Sequence, residues 1–111
     1  MKSKLYSLAC VMALSLFGIN AANASEHLDE AITHAKEAVE HGKQGHVSEL
    51  LKHEKEALKH AKAEAKTDKG EHLKEGLHCL KEAITHGKAG HAEEATKHAE
   101  EAVTHLEADK K

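Results

Sequence analysis

Histidine recurs at intervals of seven residues along most of this 111-residue chain. Seven residues are almost two turns of an α-helix, so successive histidines drift by only about 20° around the helix axis. Twelve histidines make up about a tenth of the sequence, and no Gly-rich phosphate loop or strand pattern accompanies them. The spacing therefore predicts helices that each carry a stripe of imidazoles along one side.

The chain also repeats itself over a longer distance. When the sequence is shifted by 45 residues, residues 27–66 align with 72–111 without a gap, and almost half of the 40 positions are identical. The shared segments include His41-Gly42-Lys43 and its counterpart His86-Gly87-Lys88. A self-similarity of this length is typical of a duplicated structural unit, here a helical hairpin.

Composition and apolar spacing give the fold class. Ala, Glu, Lys and Leu dominate, and all four favour helix. Apolar residues follow steps of four and three, for example at Leu73, Leu77, Leu80 and Ile84, which is the seam of antiparallel helix packing. We therefore predict an all-α, up-down-up-down four-helix bundle joined by short glycine-containing turns. The expected helices lie near 26–42, 46–66, 70–86 and 91–108.

The first 24 residues have the features of a secretory signal peptide. Two lysines precede an apolar run over 5–19, and Ala22-Asn23-Ala24 provides a small-x-small cleavage pattern. The run is short for a membrane span, so we expect cleavage, export to the periplasm and no membrane contact afterwards. The remaining domain, 25–111, has 14 Lys against 19 acidic residues, a net charge of −5 that disfavours nucleic-acid binding.

The hydrophobic core of this domain is predicted to be thin. Leu, Ile and Val number 13 of its 87 residues, and much of the seam is Ala, which buries little apolar area. Small domains of this kind often need an additional stabilising element, and a bound metal is one. We therefore expect a marginally stable metal-free form whose melting temperature rises when metal binds.

Antiparallel packing places the histidines opposite one another. Facing residues in an antiparallel hairpin have a constant sum of residue numbers, and the histidines satisfy a sum of 87 in the first hairpin and 177 in the second. Each facing pair is called a rung here, and successive rungs are about 10.5 Å apart. The six predicted rungs, which we take as metal ligands, are His27/His60, His34/His53, His41/His46, His72/His105, Cys79/His98 and His86/His91.

Carboxylates accompany the imidazoles. Eleven of the twelve histidines, all except His78, have Asp or Glu at i−4 or i+3, on the same side of the helix. Imidazole nitrogen with carboxylate oxygen suits Cu(II), Ni(II) and Zn(II), and copper binds most tightly to such sites by default. The 25–111 domain lacks methionine, which removes the thioether ligands that favour Cu(I).

These features resemble the periplasmic small metal-binding proteins of nitrifying bacteria. The resemblance rests on the export signal, the histidine series and repeated units such as segment 30–38, and it covers 25–108. It implies a four-helix bundle that binds several divalent ions, chiefly copper, in scavenging, storage or detoxification. The chain departs from the family pattern at His78-Cys79, where the family has Thr-His. The ligand positions that carry over are His27, His34, His41, His46, His53, His60, His72, His86, His91, His98 and His105.

Several alternatives remain open at this point. The His–Glu spacing is also compatible with ordinary surface pairing. A proton-responsive helical protein without a metal role is the main alternative, because protonating twelve histidines would change the net charge from −5 to +7. Cys79 is either a ligand, an inert thiol or the link of a disulfide dimer of an otherwise monomeric protein. An enzyme is disfavoured, since aromatic and pocket-forming residues are lacking.

Overall fold

Four helices form the part of the chain that the structure, a computed structural model, describes, which is residues 26–110. Their ends lie within two residues of the predicted ones, and the turns between them are short. The signal peptide predicted for 1–24 lies outside the described residues. The helices are α1 (Glu26–Lys43), α2 (Val47–Ala65), α3 (Glu71–Lys88) and α4 (Ala92–Asp109).

The helices pack as the predicted up-down-up-down bundle. α1 and α2 form one antiparallel hairpin, α3 and α4 form the other, and the hairpins meet through α1 against α4 and α2 against α3. The core consists of leucines separated by many fully buried alanines, and small side chains allow the helices to approach closely. None of these four helices is long and apolar enough to cross a membrane.

The two hairpin turns are built alike. Gly45 and Gly90, which correspond in the 45-residue repeat, adopt positive φ angles of 79° and 83°. In each turn the residue after the glycine donates its backbone N–H to a carbonyl five residues earlier, from His46 to His41 at 2.8 Å. This is the glycine-containing Schellman ending of a helix, and it holds the last histidine of α1 beside His46, the N-cap residue of α2.

An acidic side chain of α2 lies inside the core. Glu54 is fully buried, and neither of its carboxylate oxygens has a hydrogen-bond partner among residues 26–110. Burial raises the pKa of this carboxyl from 4.5 to about 8. Its position follows the apolar seam from Leu50 to Ala57, and the corresponding residue of the second hairpin is the buried Ala99. A carboxyl without partners at such a position destabilises the bundle.

Gly42 allows α1 to approach its neighbours closely, and we expect Gly42→Ala to lower the free energy of unfolding by about 1–2 kcal/mol. A Cβ atom there would overlap the Thr96 Oγ1 atom and lie 2.8 Å from a methyl carbon of Leu50. Thr96 cannot turn away freely, because its hydroxyl donates to the Ala92 carbonyl at 2.7 Å. Urea unfolding measures the effect. Adding Thr96→Ala should recover part of the loss, and no recovery would contradict the steric explanation.

Candidate metal-binding clusters

The three rungs predicted for the first hairpin form in the structure. The Nδ1 atoms of His27 and His60 lie 3.3 Å apart, and those of His34 and His53 lie at the same distance. The ring centroids of the third rung, next to the turn, are 5.9 Å apart. The heptad spacing therefore places facing imidazoles in contact, as the antiparallel arrangement requires.

The second hairpin forms two of its three rungs. The rings of His72 and His105 are 6.1 Å apart, and the rung beside the second turn has a separation of 6.0 Å. At the middle position the Cys79 Sγ atom lies 3.9 Å from Oε1 of Glu101, and Nδ1 of His98 lies 3.3 Å from the same oxygen. The predicted Cys79/His98 rung is thus replaced by contacts of both residues with Glu101.

Among residues 26–110, five groups of side chains place three potential ligand atoms within 4.8 Å of one another. Each group contains two histidines and one glutamate, and each lies between the two helices of one hairpin. They are cluster 1 (His27, Glu30, His60), cluster 2 (His34, Glu56, His60), cluster 3 (Glu37, His41, His53), cluster 4 (His72, Glu75, His105) and cluster 5 (Glu82, His86, His98).

The geometry of cluster 1 illustrates what such a group can bind. Two nitrogens 3.3 Å apart can both lie about 2.0–2.1 Å from one ion, with an angle of about 107° between them, which is close to tetrahedral. Oε1 of Glu30 is 3.0 Å from Nε2, the other ring nitrogen of His60, and offers a carboxylate oxygen. In cluster 4 the Glu75 carboxylate lies 3.1 Å from Nδ1 of His105. Because an imidazole binds a given ion through one nitrogen, a three-ligand site in cluster 1 requires the Glu30 carboxylate or the His60 ring to turn.

Three of the clusters join histidines from neighbouring rungs instead of one rung. Clusters 2, 3 and 5 pair His34 with His60, His41 with His53, and His86 with His98. Helical side chains lean toward the N-terminus of their own helix, so in an antiparallel pair these diagonal partners lean toward each other. Their rings stack at centroid distances of 5.0–5.8 Å. The diagonal contacts are therefore a consequence of helix geometry that the facing rule omitted.

The 45-residue repeat is visible in the clusters. Cluster 1 corresponds to cluster 4, and cluster 3 corresponds to cluster 5, residue by residue. Cluster 2 has no such counterpart among the described residues, because Cys79 occupies the position equivalent to His34. Burial first, and then the Glu101 carboxylate, raise the pKa of the Cys79 thiol, which disfavours the thiolate form that binds metals.

Burial lowers the pKa of two histidines in the clusters, His34 and His53. It lowers the pKa of His34, and the neighbouring His60 adds to this shift. Burial also lowers the pKa of His53, against an opposing contribution from the Glu37 carboxylate. Both imidazoles are therefore neutral at pH 7, which is the form that binds a metal ion.

The structure separates the predicted ligands into two groups. Nine of the predicted histidines belong to the five clusters. His46 and His91 are exposed, belong to none of these clusters and lie beside the ring across the turn, and Cys79 contacts Glu101. The predicted ligand set omitted the five glutamates, although every one stands at i+3 or i−4 of a histidine in its own cluster. His78, which interrupts the heptad spacing, is exposed on α3 and lies outside the clusters.

A comparison with protein families agrees with these clusters. The family model described as small metal-binding protein matches residues 2–109, almost the whole chain. The chain belongs to the small metal-binding protein family. No curated protein matches the sequence. Family membership confirms the resemblance predicted from the histidine series, and the His/Glu clusters of the bundle are the groups through which a member with this sequence can bind metal ions.

Proposed function

We propose that this small metal-binding protein binds several divalent transition-metal ions in the periplasm as a non-catalytic buffer, with copper foremost and nickel and zinc as further ions. The observation that carries the proposal is the repetition of one ligand set, two imidazoles and one carboxylate, along both hairpins. The periplasmic location rests on the signal-peptide pattern of residues 1–24.

The arrangement favours capacity over selectivity. The clusters have the same composition, and most of their ligands are partly exposed, so ions can enter and leave without opening the bundle. Copper is favoured because divalent copper binds nitrogen and oxygen ligands more tightly than nickel or zinc does. An enzyme would enclose such a site in an apolar pocket with a distinct acid–base pair, whereas these clusters line the surface seam of each hairpin.

Calorimetric titration with Cu(II) at pH 7.5 is expected to show about four tightly bound equivalents. Five clusters are present, but clusters 1 and 2 share His60 and cannot both be complete. His86→Ala removes a cluster 5 ligand and should lower the count by one. His78→Ala removes an exposed histidine outside the clusters and should leave it unchanged. Fewer than two copper equivalents on the parent protein would contradict the proposal.

Metal loading is expected to fall as the pH decreases through about 6.5, because protonated imidazole does not bind metals. Equilibrium dialysis against Ni(II) between pH 5 and 8 measures the loading. Loading that is constant across this range would show that carboxylates alone hold the ions.

The alternative function is a proton-responsive switch, and the stacked imidazoles favour it. Protonation would place positive charges on stacked rings whose centroids are 5.0–5.8 Å apart, as for His86 and His98. Circular dichroism against pH, with metals chelated, separates the two functions. A sharp unfolding transition near pH 6 together with negligible affinity for copper, nickel and zinc would favour the switch.

A further inference from the structure

Clusters 1 and 2 have one ligand in common, the imidazole of His60. Their remaining ligands match in kind: cluster 1 adds His27 and Glu30, and cluster 2 adds His34 and Glu56. An ion on either side of His60 therefore meets the same donors and the same total charge. Exchange between the two positions changes neither the type nor the number of its ligands.

The contacts continue from cluster 2 into cluster 3. Nδ1 of His34 lies 3.3 Å from Nδ1 of His53, and His53 is a ligand of cluster 3. All six histidines of the first hairpin thus form one series, with neighbouring ring centroids 5.3–5.9 Å apart from His27 to His46. The α1–α2 interface offers potential ligands without a gap over the 14 residues from His27 to His41, about 21 Å of helix.

The second hairpin lacks this continuity. Clusters 4 and 5 share no residue, and within residues 26–110 no ring contact links His105 to His98 or His86. Cys79 stands between them and contacts Glu101. The duplicated hairpins therefore differ at the middle position. The first hairpin has one continuous series of potential ligands, and the second has two separate sites at its ends.

We propose that the α1–α2 hairpin relays a bound ion along its length, from cluster 1 through cluster 2 to cluster 3, whereas the α3–α4 hairpin retains ions at two separate sites. The proposal rests on the proposed metal-binding function and adds a path for the ion. The first hairpin would then be the fast-exchanging part of the protein and the second hairpin its retaining part.

Each step of the relay exchanges ligands around an ion whose oxidation state is constant. In the first step the ion stays bound to His60 while bonds to cluster 2 form and the bonds to His27 and Glu30 break. In the second step it first gains His53 while it stays bound to His34. It then gains the other ligands of cluster 3 and releases all three ligands of cluster 2, His34 last. A carboxylate replaces a carboxylate in both steps, so the charge of the site is preserved.

The repeat provides matched variants that change only the middle position. His34→Ala removes a ligand of cluster 2 and leaves all ligands of clusters 1 and 3 in place. Cys79→His gives the second hairpin the histidine that the first has there. Both variants must show the same helical circular dichroism as the parent protein. If His34→Ala does not fold, His34→Cys, which copies the residue of the second hairpin, replaces it.

Imidazole NMR exchange spectroscopy at substoichiometric Zn(II) tests the relay, because Zn(II) is diamagnetic and identifies each occupied cluster. We expect exchange between clusters 1 and 3 at a rate independent of protein concentration and of a competing chelator, as an intramolecular path requires. His34→Ala should slow this exchange at least tenfold. Exchange between clusters 4 and 5 should be slow and dependent on protein concentration in the parent, and at least tenfold faster in Cys79→His.

The outcomes distinguish the relay from metal binding itself. Zinc bound in both hairpins, with equal exchange rates or with no effect of His34→Ala, would overturn the relay and leave the buffering function in place. Absence of binding by zinc, copper and nickel would overturn the proposed function and the relay together.

Discussion

Replacing Glu54 with leucine is expected to raise the free energy of unfolding by about 3 kcal/mol at pH 7. The parent carboxyl is fully buried, has no hydrogen-bond partner among residues 26–110, and has a pKa raised from 4.5 to about 8. At pH 7 the Glu54 carboxyl is therefore protonated in the folded protein, whereas it is ionised in the unfolded chain. Leucine has a similar volume and needs no proton, so it fills the position without this cost.

The pH dependence gives this prediction a second signature. The folded state binds more protons than the unfolded state between pH 4.5 and 8, so the stability of the parent falls as the pH rises through this range. The advantage of Glu54→Leu should grow over the same range and reach about 5 kcal/mol above pH 8. Urea unfolding of both proteins at several pH values measures the difference between their free energies of unfolding. The contribution of the histidines is the same in both proteins and cancels in this difference.

The repeat supplies the controls for this substitution. Ala99→Glu places a carboxyl at the corresponding buried position and should destabilise the protein strongly. Glu40→Leu replaces an exposed glutamate and should change stability little. A Glu54→Leu protein no more stable than the parent at pH 8 would show that the carboxyl has found solvent or a partner.

Saturation with Zn(II) is expected to raise the melting temperature by more than about 10 °C. Each independent site stabilises the folded state by about 2.7 kcal/mol when the free ion is at 100 times its Kd. Because the ligands of every cluster come from two helices, the unfolded chain cannot assemble them and binds the ion more weakly. The thin alanine-rich core makes this contribution large relative to the stability of the metal-free form.

Thermal unfolding followed by circular dichroism measures this shift, with and without Zn(II). Excess chelator should reverse it, and Mg(II), which prefers oxygen ligands, should produce little. A double variant, His41→Ala with His86→Ala, removes one ligand from each of clusters 3 and 5 and should reduce the shift by about half. An unchanged midpoint at saturating zinc would contradict the hypothesis that metal stabilises the bundle.

The periodicity of the sequence was sufficient for the fold and for most of the histidine contacts between helices. The 4-3-4 apolar spacing, the heptad histidines and the two glycine turns predicted four antiparallel helices, and all are confirmed. The constant-sum rule predicted the ring contact of His27 with His60 correctly. These features depend on local helix geometry, which a sequence pattern encodes directly.

Features that depend on the direction of side chains were harder to predict from the sequence. The diagonal pairing of His41 with His53 follows from the lean of helical side chains, which residue numbers do not express. The burial of Glu54 does not follow from apolar spacing, because a glutamate there interrupts the apolar residues, although the 4-3 spacing from Leu50 continues through it. The contact of Cys79 with Glu101 depends on packing at one middle position that the repeat does not conserve.

Crystals of the zinc- or copper-loaded protein, with anomalous diffraction recorded at the metal absorption edge, would locate the ions themselves. We predict anomalous peaks between α1 and α2 and between α3 and α4, each about 2.0–2.1 Å from nitrogens of two cluster histidines contributed by both helices of the hairpin. Peaks restricted to single exposed side chains such as His78, or no peaks at the five clusters, would contradict metal binding between the antiparallel helices.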